Sequence, residues 1–299
     1  MSGSTLLQRE ASLRADAKAL VDAGDLDAAA KAYEAIETLA LEIGDQDLIH
    51  LAVCNRGAVA VYQGRGAEFL PRLRAVLTES RSDDNAFLAA YSMSRYYELG
   101  KEHKKFLYYA RIALQRAQSA AKPDWLLNAR NHLGSALLAG SQITDAAREY
   151  AAALQAADGS NITGVTLTYN LGYCRVLQHR IEEGIALLVR ALRGAVRLSS
   201  RRAEAQIRLD LGFACLERGS PKQAGRQIGR ALALAQDLDW ADGIKNGLYL
   251  LGESQRLDGM VEEAEQSFAR LQRTYYPDQP YLGTLLMAVD VRRMLNLHA

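Results

Sequence analysis

Apolar and polar positions along the chain follow a helical period. In the stretch AEAQIRLDLGFACLERG, apolar side chains keep a spacing of about 3.6 residues and stop at Gly219. Ser220 and Pro221 then restart the chain in the N-cap and first-turn roles that suit them. The pattern predicts a helix, a short turn and a second helix, and the same figure recurs along the chain.

Four segments align directly: HLGSALLAGSQITDAAREYAAAL from His132, NLGYCRVLQHRIEEGIALLVRAL from Asn170, DLGFACLERGSPKQAGRQIGRAL from Asp210 and LLGESQRLDGMVEEAEQSFARL from Leu250. Each carries Leu-Gly, a small residue 12 positions after the glycine, and a larger apolar residue four further on. The glycines are Gly134, Gly172, Gly212 and Gly252, a period of 38 to 40 residues. Three weaker copies come first. GDLDAAAKAYEAI from Gly24 has Ala29 and Tyr33, with Ala17 in the glycine position. A second copy begins at Gly57, with Phe69 at the small site and Pro71 near the start of its second helix. A third begins at Ser94, with Phe106 at the small site. The series Ala29, Phe69, Phe106, Ala146, Gly184, Ala224, Ala264 therefore marks seven units.

The small residues have a mechanical reason. Where two helices cross at Gly212 and Ala224, a larger side chain would hold the backbones apart. No unit buries its apolar stripe alone, so stacking on neighbours completes the core. The expected architecture is all-α: one α-α superhelix over residues 1–299, with seven hairpins over 7–280 and a capping helix over 281–297.

These residues resemble the tetratricopeptide repeat. Its order of Gly or Ala, then small, then aromatic, then Ala is met by Gly134, Ala146, Tyr150 and Ala153, and in part by Gly252, Ala264 and Phe268. The units exceed the family's usual 34 residues by about one helical turn and lack its frequent proline after the second helix. Both departures are similar to the long-helix branch found in kinesin light chain and in bacterial regulators related to the maltose activator.

Composition narrows the function. Lys plus Arg (36) nearly balances Asp plus Glu (35), which argues against nucleic acid as the main partner. The N-terminal stretch is charged throughout and no long uncharged apolar run occurs, so the expectation is a cytoplasmic protein without a membrane span. Cys54, Cys174 and Cys215 are too far apart in sequence for a zinc pattern and read as buried small hydrophobes. Motif searches give no GxSxG, GxxxxGK[ST], HExxH or GxGxxG, and no histidine pairs with another histidine at helical spacing. Gly64-Arg65-Gly66 reads as a turn, and Glu182-Glu183 and Glu262-Glu263 as helix-dipole partners. The expectation is no enzyme, no cofactor and no metal.

In this family the first helices of the units line a concave groove. Carried over by alignment to the glycine position, the resemblance implies a peptide-binding set of Asn55, Arg95, Asn131, His132, Tyr169, Asn170, Tyr173, Asp210, Asn246, Tyr249 and Glu253. An asparagine amide can pair with both backbone groups of an extended peptide, and Asn131 and Asn170 resemble asparagines of the kinesin-light-chain repeats. Tyrosines beside them would add apolar area with a polar tip. The family's Lys/Asn/Asn/Lys/Arg carboxylate clamp is not reproduced.

The expected function is a non-catalytic scaffold that binds an extended segment of another protein or peptide. An alternative is a ligand- or peptide-responsive regulator of transcription or signalling. A third reading uses the basic run Arg190, Arg193, Arg197, Arg201, Arg202 and Arg208 to bind nucleic acid, against a solvated helix face with its own neutralising acids. Trp125 and Trp240 are expected to pack between units, and Tyr96, Tyr97, Tyr108 and Tyr109 to divide between core and surface.

Overall fold

A computed structural model describes residues 3–292, and it is all-α. The chain divides into two compact units, Met1–Gly140 and Ser141–Ala299. The first holds α1 (Gly3–Asp22), α2 (Leu26–Ile43), α3 (Gln46–Tyr62), a 3-10 turn (Gly66–Phe69), α4 (Leu70–Glu79), α5 (Asp83–Leu99), α6 (His103–Ala120) and α7 (Pro123–Ala139). The second holds α8 (Ile143–Ala156), α9 (Ile162–Leu177), α10 (Ile181–Arg197), α11 (Arg201–Glu217), α12 (Pro221–Asp237), α13 (Ala241–Leu257), α14 (Val261–Tyr275) and α15 (Leu282–Ala288). Inside each unit, every helix packs on the next in sequence, as in a tetratricopeptide-like array.

Local chemistry explains the helix starts. Asp25, Asp45, Ser82 and Asn161 each accept a hydrogen bond from a backbone N–H of the helix they precede. Pro71, Pro123 and Pro221 lie in first turns, where the missing N–H costs nothing. Pro71 also explains the shortest hairpin arm. The 3-10 turn ends at Phe69, and α4 begins one residue before the proline.

The repeated glycines sit where helices touch. A Cβ on Gly212 would lie 2.4 Å from Cγ1 of Ile228, and one on Gly252 would lie 2.5 Å from Cε1 of Phe268. Gly172 meets Leu188 and Gly57 meets Leu73 in the same way. In every case the partner is the apolar residue 16 positions on, one turn beyond the small site. The turn inside each hairpin needs a residue in the left-handed region. Gly24, Gly64, Gly219 and Gly259 supply it cheaply, whereas Lys101, Ser141 and His179 adopt it with a side chain.

In the first unit, Ala17, Ala29, Tyr33, Ile36, Ala52 and Val59 form one cluster across α1, α2 and α3. Phe69, Leu73, Val76, Ala89 and Met93 form the next with Val53, Cys54 and Ala60, so α3 contributes to both layers. Buried polar groups tie α3 to α5. The Asn85 side-chain amide donates to the Asp47 carbonyl at 3.0 Å, and the Cys54 thiol to the Asn85 carbonyl at 3.5 Å. Trp125 stacks on Phe87 with 4.6 Å between ring centres, and Trp240 is buried under the Arg202 guanidinium at 3.6 Å, the packing roles expected of both. Tyr97 is buried and stacked on Tyr109, while Tyr108 is exposed.

The C-terminal helix is shorter than the residues 281–297 expected for it. α15 ends at Ala288, and Val289 is extended with φ −126° and ψ 129°. Residues 293–297 of that expectation lie outside the described residues. No described helix is long and apolar enough to cross a membrane.

Candidate functional site

In the first unit, α5 and α7 place Arg95 and His132 beside each other. Arg95 is half-buried, forms an ion pair with Glu98 one turn on, and lies 5.8 Å from the Tyr62 ring centre. His132 is buried between the rings of Tyr91 and Phe106, at 4.7 and 4.9 Å. Its Nδ1 lies 3.8 Å from Glu98 Oε2, and its Nε2 has no hydrogen-bond partner. Burial, reinforced by the Arg95 charge, lowers the imidazole to about 3. Such a ring stays neutral at working pH and is no proton shuttle near neutrality. Burial also raises the Glu98 carboxyl, against the pull of Arg95. Asn55 on α3 and Asn131 on α7 are half-buried.

In the second unit, α9 and α11 are joined by a hydrogen bond across one repeat. The Tyr169 hydroxyl donates to Asp210 Oδ2 at 2.7 Å, and Gln206 Nε2 reaches the same oxygen at 3.3 Å. Burial and the adjacent carboxylate hold the Tyr169 phenol well above its ordinary value. Tyr173 is buried behind it, with its phenol raised by burial. On α13, Glu253 is fully buried and gripped by Arg256, Nε to Oε1 at 3.2 Å and Nη2 to Oε2 at 2.9 Å. Tyr249, one turn earlier, is buried. Asn170 on α9 and Asn246 on α13 are half-buried.

The expected peptide-binding set thus splits by depth. Asn55, Arg95, Asn131, Tyr169, Asn170 and Asn246 reach solvent in part. His132, Tyr173, Asp210, Tyr249 and Glu253, expected as groove lining, are buried. Alignment to the glycine fixes a residue's position around the helix, but its depth depends on what the neighbouring helices place over it. Asp210, His132 and Asn170 all stand two residues before their glycine, yet only the asparagine keeps solvent contact. Glu98, Glu217 and Arg292 were missed. A signal existed for Glu98, since an acid three residues after Arg95 is a standard helix pair.

The basic run has mostly internal partners. Arg197 donates to the Ser160 carbonyl at 3.0 Å, Arg201 to Asp237 at 2.7 Å, and Arg208 to Glu204 at 2.9 Å and Gln227 at 2.8 Å. Arg190 donates to the Thr168 hydroxyl at 3.2 Å, at the edge of a cleft of about 410 Å³ lined by Val165, Thr168 and Leu171. The three cysteines are buried thiols, and burial pushes Cys54 and Cys174 up to about 12. Among the described residues, no group of three or more His, Cys, Asp or Glu could hold a metal ion.

No sequence-family model matches the chain, and no curated protein matches it in sequence. Solved structures do match in fold. A Rap protein complexed with Competence and Sporulation Factor superposes with a TM-score of 0.70 at 12% identity, over 96% of this chain and 79% of the other. The apo form of RapI gives 0.69 at 11% identity, over 88% and 76%. BtubC (BKLC) from P. vanneervenii gives 0.57 at 21% identity, over 76% and 93%. The chain is a tetratricopeptide-like repeat protein, structurally similar to kinesin light chain, BtubC and Rap regulators. At these identities the likeness speaks for the fold alone.

Proposed function

We propose that this chain is a non-catalytic scaffold that holds an extended segment of another protein on the polar faces of its first helices. The observation that carries the reading is the placement of the asparagines. Asn55, Asn131, Asn170 and Asn246 all stand half-buried on first helices, where an amide can reach a peptide backbone. The buried residues behind them hold those helices in place. Tyr169 locks α9 to α11 through Asp210, and the aromatic sandwich around His132 ties α7 to α5 and α6. A rigid face loses little entropy when a ligand settles on it. Buried thiols and a histidine held neutral support the non-catalytic part of the reading.

A second reading, a ligand- or peptide-responsive regulator of transcription or signalling, is favoured by one comparison. The Rap structure matching 96% of this chain was solved with Competence and Sporulation Factor bound. Arg197, Arg201 and Arg208, engaged internally, weaken the nucleic-acid reading.

The test is partner recovery by affinity purification. Asn131→Ala and Asn170→Ala, made separately and together, are expected to reduce recovery of the partner that wild type captures. Unchanged recovery by the double variant removes the first-helix faces from the account.

A further inference from the structure

In the second unit, the second helices α10 and α12 wall a groove of about 480 Å³ whose floor is the first helix α11. Ile185 and Val189 form one wall, Arg226 and Arg230 the other, and Leu211 and Cys215 the floor. No described residue lining it carries a carboxylate, and three carry a guanidinium, Arg218 being the third. Ile185 and Val189 are half-buried and one turn apart, so their wall is apolar yet within reach of a ligand. Arg226 and Arg230 are exposed and stand about 6 Å apart along α12. Neither has an ion pair or hydrogen bond among the described residues. Arg218 closes one end. It lies 3.6 Å from Glu182 of α10 and donates to Gln223 in the first turn of α12, which ties the two walls together.

The first unit builds a groove in the same register and fills it with its own charge pairs. Over α3, between α2 and the 3-10 turn, a cleft of about 290 Å³ is lined by Asp27, Glu34, Arg56 and Gln63 among others. Arg56 reaches Glu34 at 3.2 Å, and Gln63 reaches Asp27 at 2.8 Å. Glu34 and Val189 both stand five residues after the small site of their hairpin, Ala29 and Gly184. Gln63 and Arg218 both stand six residues after the glycine, Gly57 and Gly212. The second unit therefore has an apolar residue in place of an acid and an arginine in place of an amide. Packing requires neither change, since the first unit folds without them. Together they turn a self-paired cleft into a cationic one with an apolar wall.

We propose that this groove binds a small phosphate monoester with an apolar body. A monoester carries about −1.5 to −2 charges at neutral pH, spread over three oxygens. That charge matches two adjacent guanidiniums, whose planar forks suit phosphate oxygens. The phosphate sits between Arg226 and Arg230, and the apolar body lies on Ile185 and Val189. The end closed by Arg218 suits a compact molecule better than a chain running through. The volume also falls in the range of small-molecule sites, roughly 300 to 1,000 Å³. None of these residues belongs to the asparagine-bearing faces, so the site does not rest on the peptide-binding reading.

The experiment is isothermal titration of the full chain with phenyl phosphate at low salt. Wild type is expected to bind it, and the double variant Arg226→Gln/Arg230→Gln to bind at least about ten-fold more weakly. Val189→Glu, which restores the acid of the first unit, should weaken binding as much, with circular dichroism checking that it folds. Should it unfold, the arginine pair alone decides. Arg148→Gln, an exposed charge on α8, should leave the affinity within about two-fold. Inorganic phosphate, which lacks the body, and benzoate, which has one charge, should each bind at least about ten-fold more weakly. No binding of phenyl phosphate at about 10 mM overturns the proposal, as does equal affinity of the double variant. Benzoate binding as tightly overturns the phosphate assignment, and inorganic phosphate binding as tightly overturns the apolar body. An acidic peptide or an oligonucleotide that binds more tightly through Arg226 and Arg230 overturns the choice of a small molecule.

Discussion

The α5–α6 hairpin of the first unit and the α11–α12 hairpin of the second solve one packing problem in opposite ways. In α11–α12 the crossing is made by Gly212 against Ala224, with bulk supplied one turn later by Ile228. In α5–α6 the order of sizes is reversed. Ser94 stands in the glycine position, Phe106 fills the small site, and Ala110 stands where Ile228 does. All three first-unit residues are buried, and the Ser94 hydroxyl donates to the Phe106 carbonyl at 3.2 Å. Shape is conserved in the sum of the positions, not in each one. Phe106 does further work, because its ring walls the pocket that keeps His132 neutral.

The largest expected effect comes from breaking the second solution. Gly212→Leu should destabilise the second unit by about 3 kcal/mol or more, since its side chain has only the Ile228 side chain to enter. Faster amide exchange confined to the helices packed on α11 would show it. A sharper test transplants one solution into the other. Ala224→Phe alone should cost about 3 kcal/mol, and adding Ile228→Ala should recover at least about 1 kcal/mol, because the volume has moved one turn back. Additive losses in urea melts would show that the two hairpins do not share one packing rule.

The acid sensitivity of the first unit follows from His132. Its folded value of about 3 lies below the ordinary 6.5, so the unfolded chain takes up the proton first. The stability this confers is complete above pH 6.5 and is lost as pH falls toward 3. By pH 5 the loss should reach about 2 kcal/mol, and His132→Gln should flatten that slope. Melting measured from pH 7 to 5 on both proteins checks this.

Smaller effects lie at the turns and on the surface. His179 holds φ 61°, where Gly219 and Gly259 serve the same turn, so His179→Gly should stabilise by about 0.5 to 1 kcal/mol. Arg193→Ala, on an exposed part of α10, should change stability by no more than about 0.5 kcal/mol.

The sequence exposed the array better than the site. Glycines such as Gly172, Gly212 and Gly252 announce helix contacts because only a missing Cβ permits them, and Ser220-Pro221 announces a helix start. Depth is a different matter. Asp210 is buried because Tyr169, 41 residues earlier, covers and bonds it, a pairing that only the stacked helices create. Glu253 is buried in part because Arg292 folds back onto it from beyond the last hairpin, and no repeat register predicts that. The asparagines Asn55, Asn131, Asn170 and Asn246 are half-buried, a depth that their place in the repeat does not announce either.

The claim that matters most is that ligands meet the first helices. A photo-crosslinking residue placed at Asn55 or Asn246 should capture the partner. The same residue placed at Arg193, on a second helix, should capture none. Capture from Arg193 with none from either asparagine position would contradict the account.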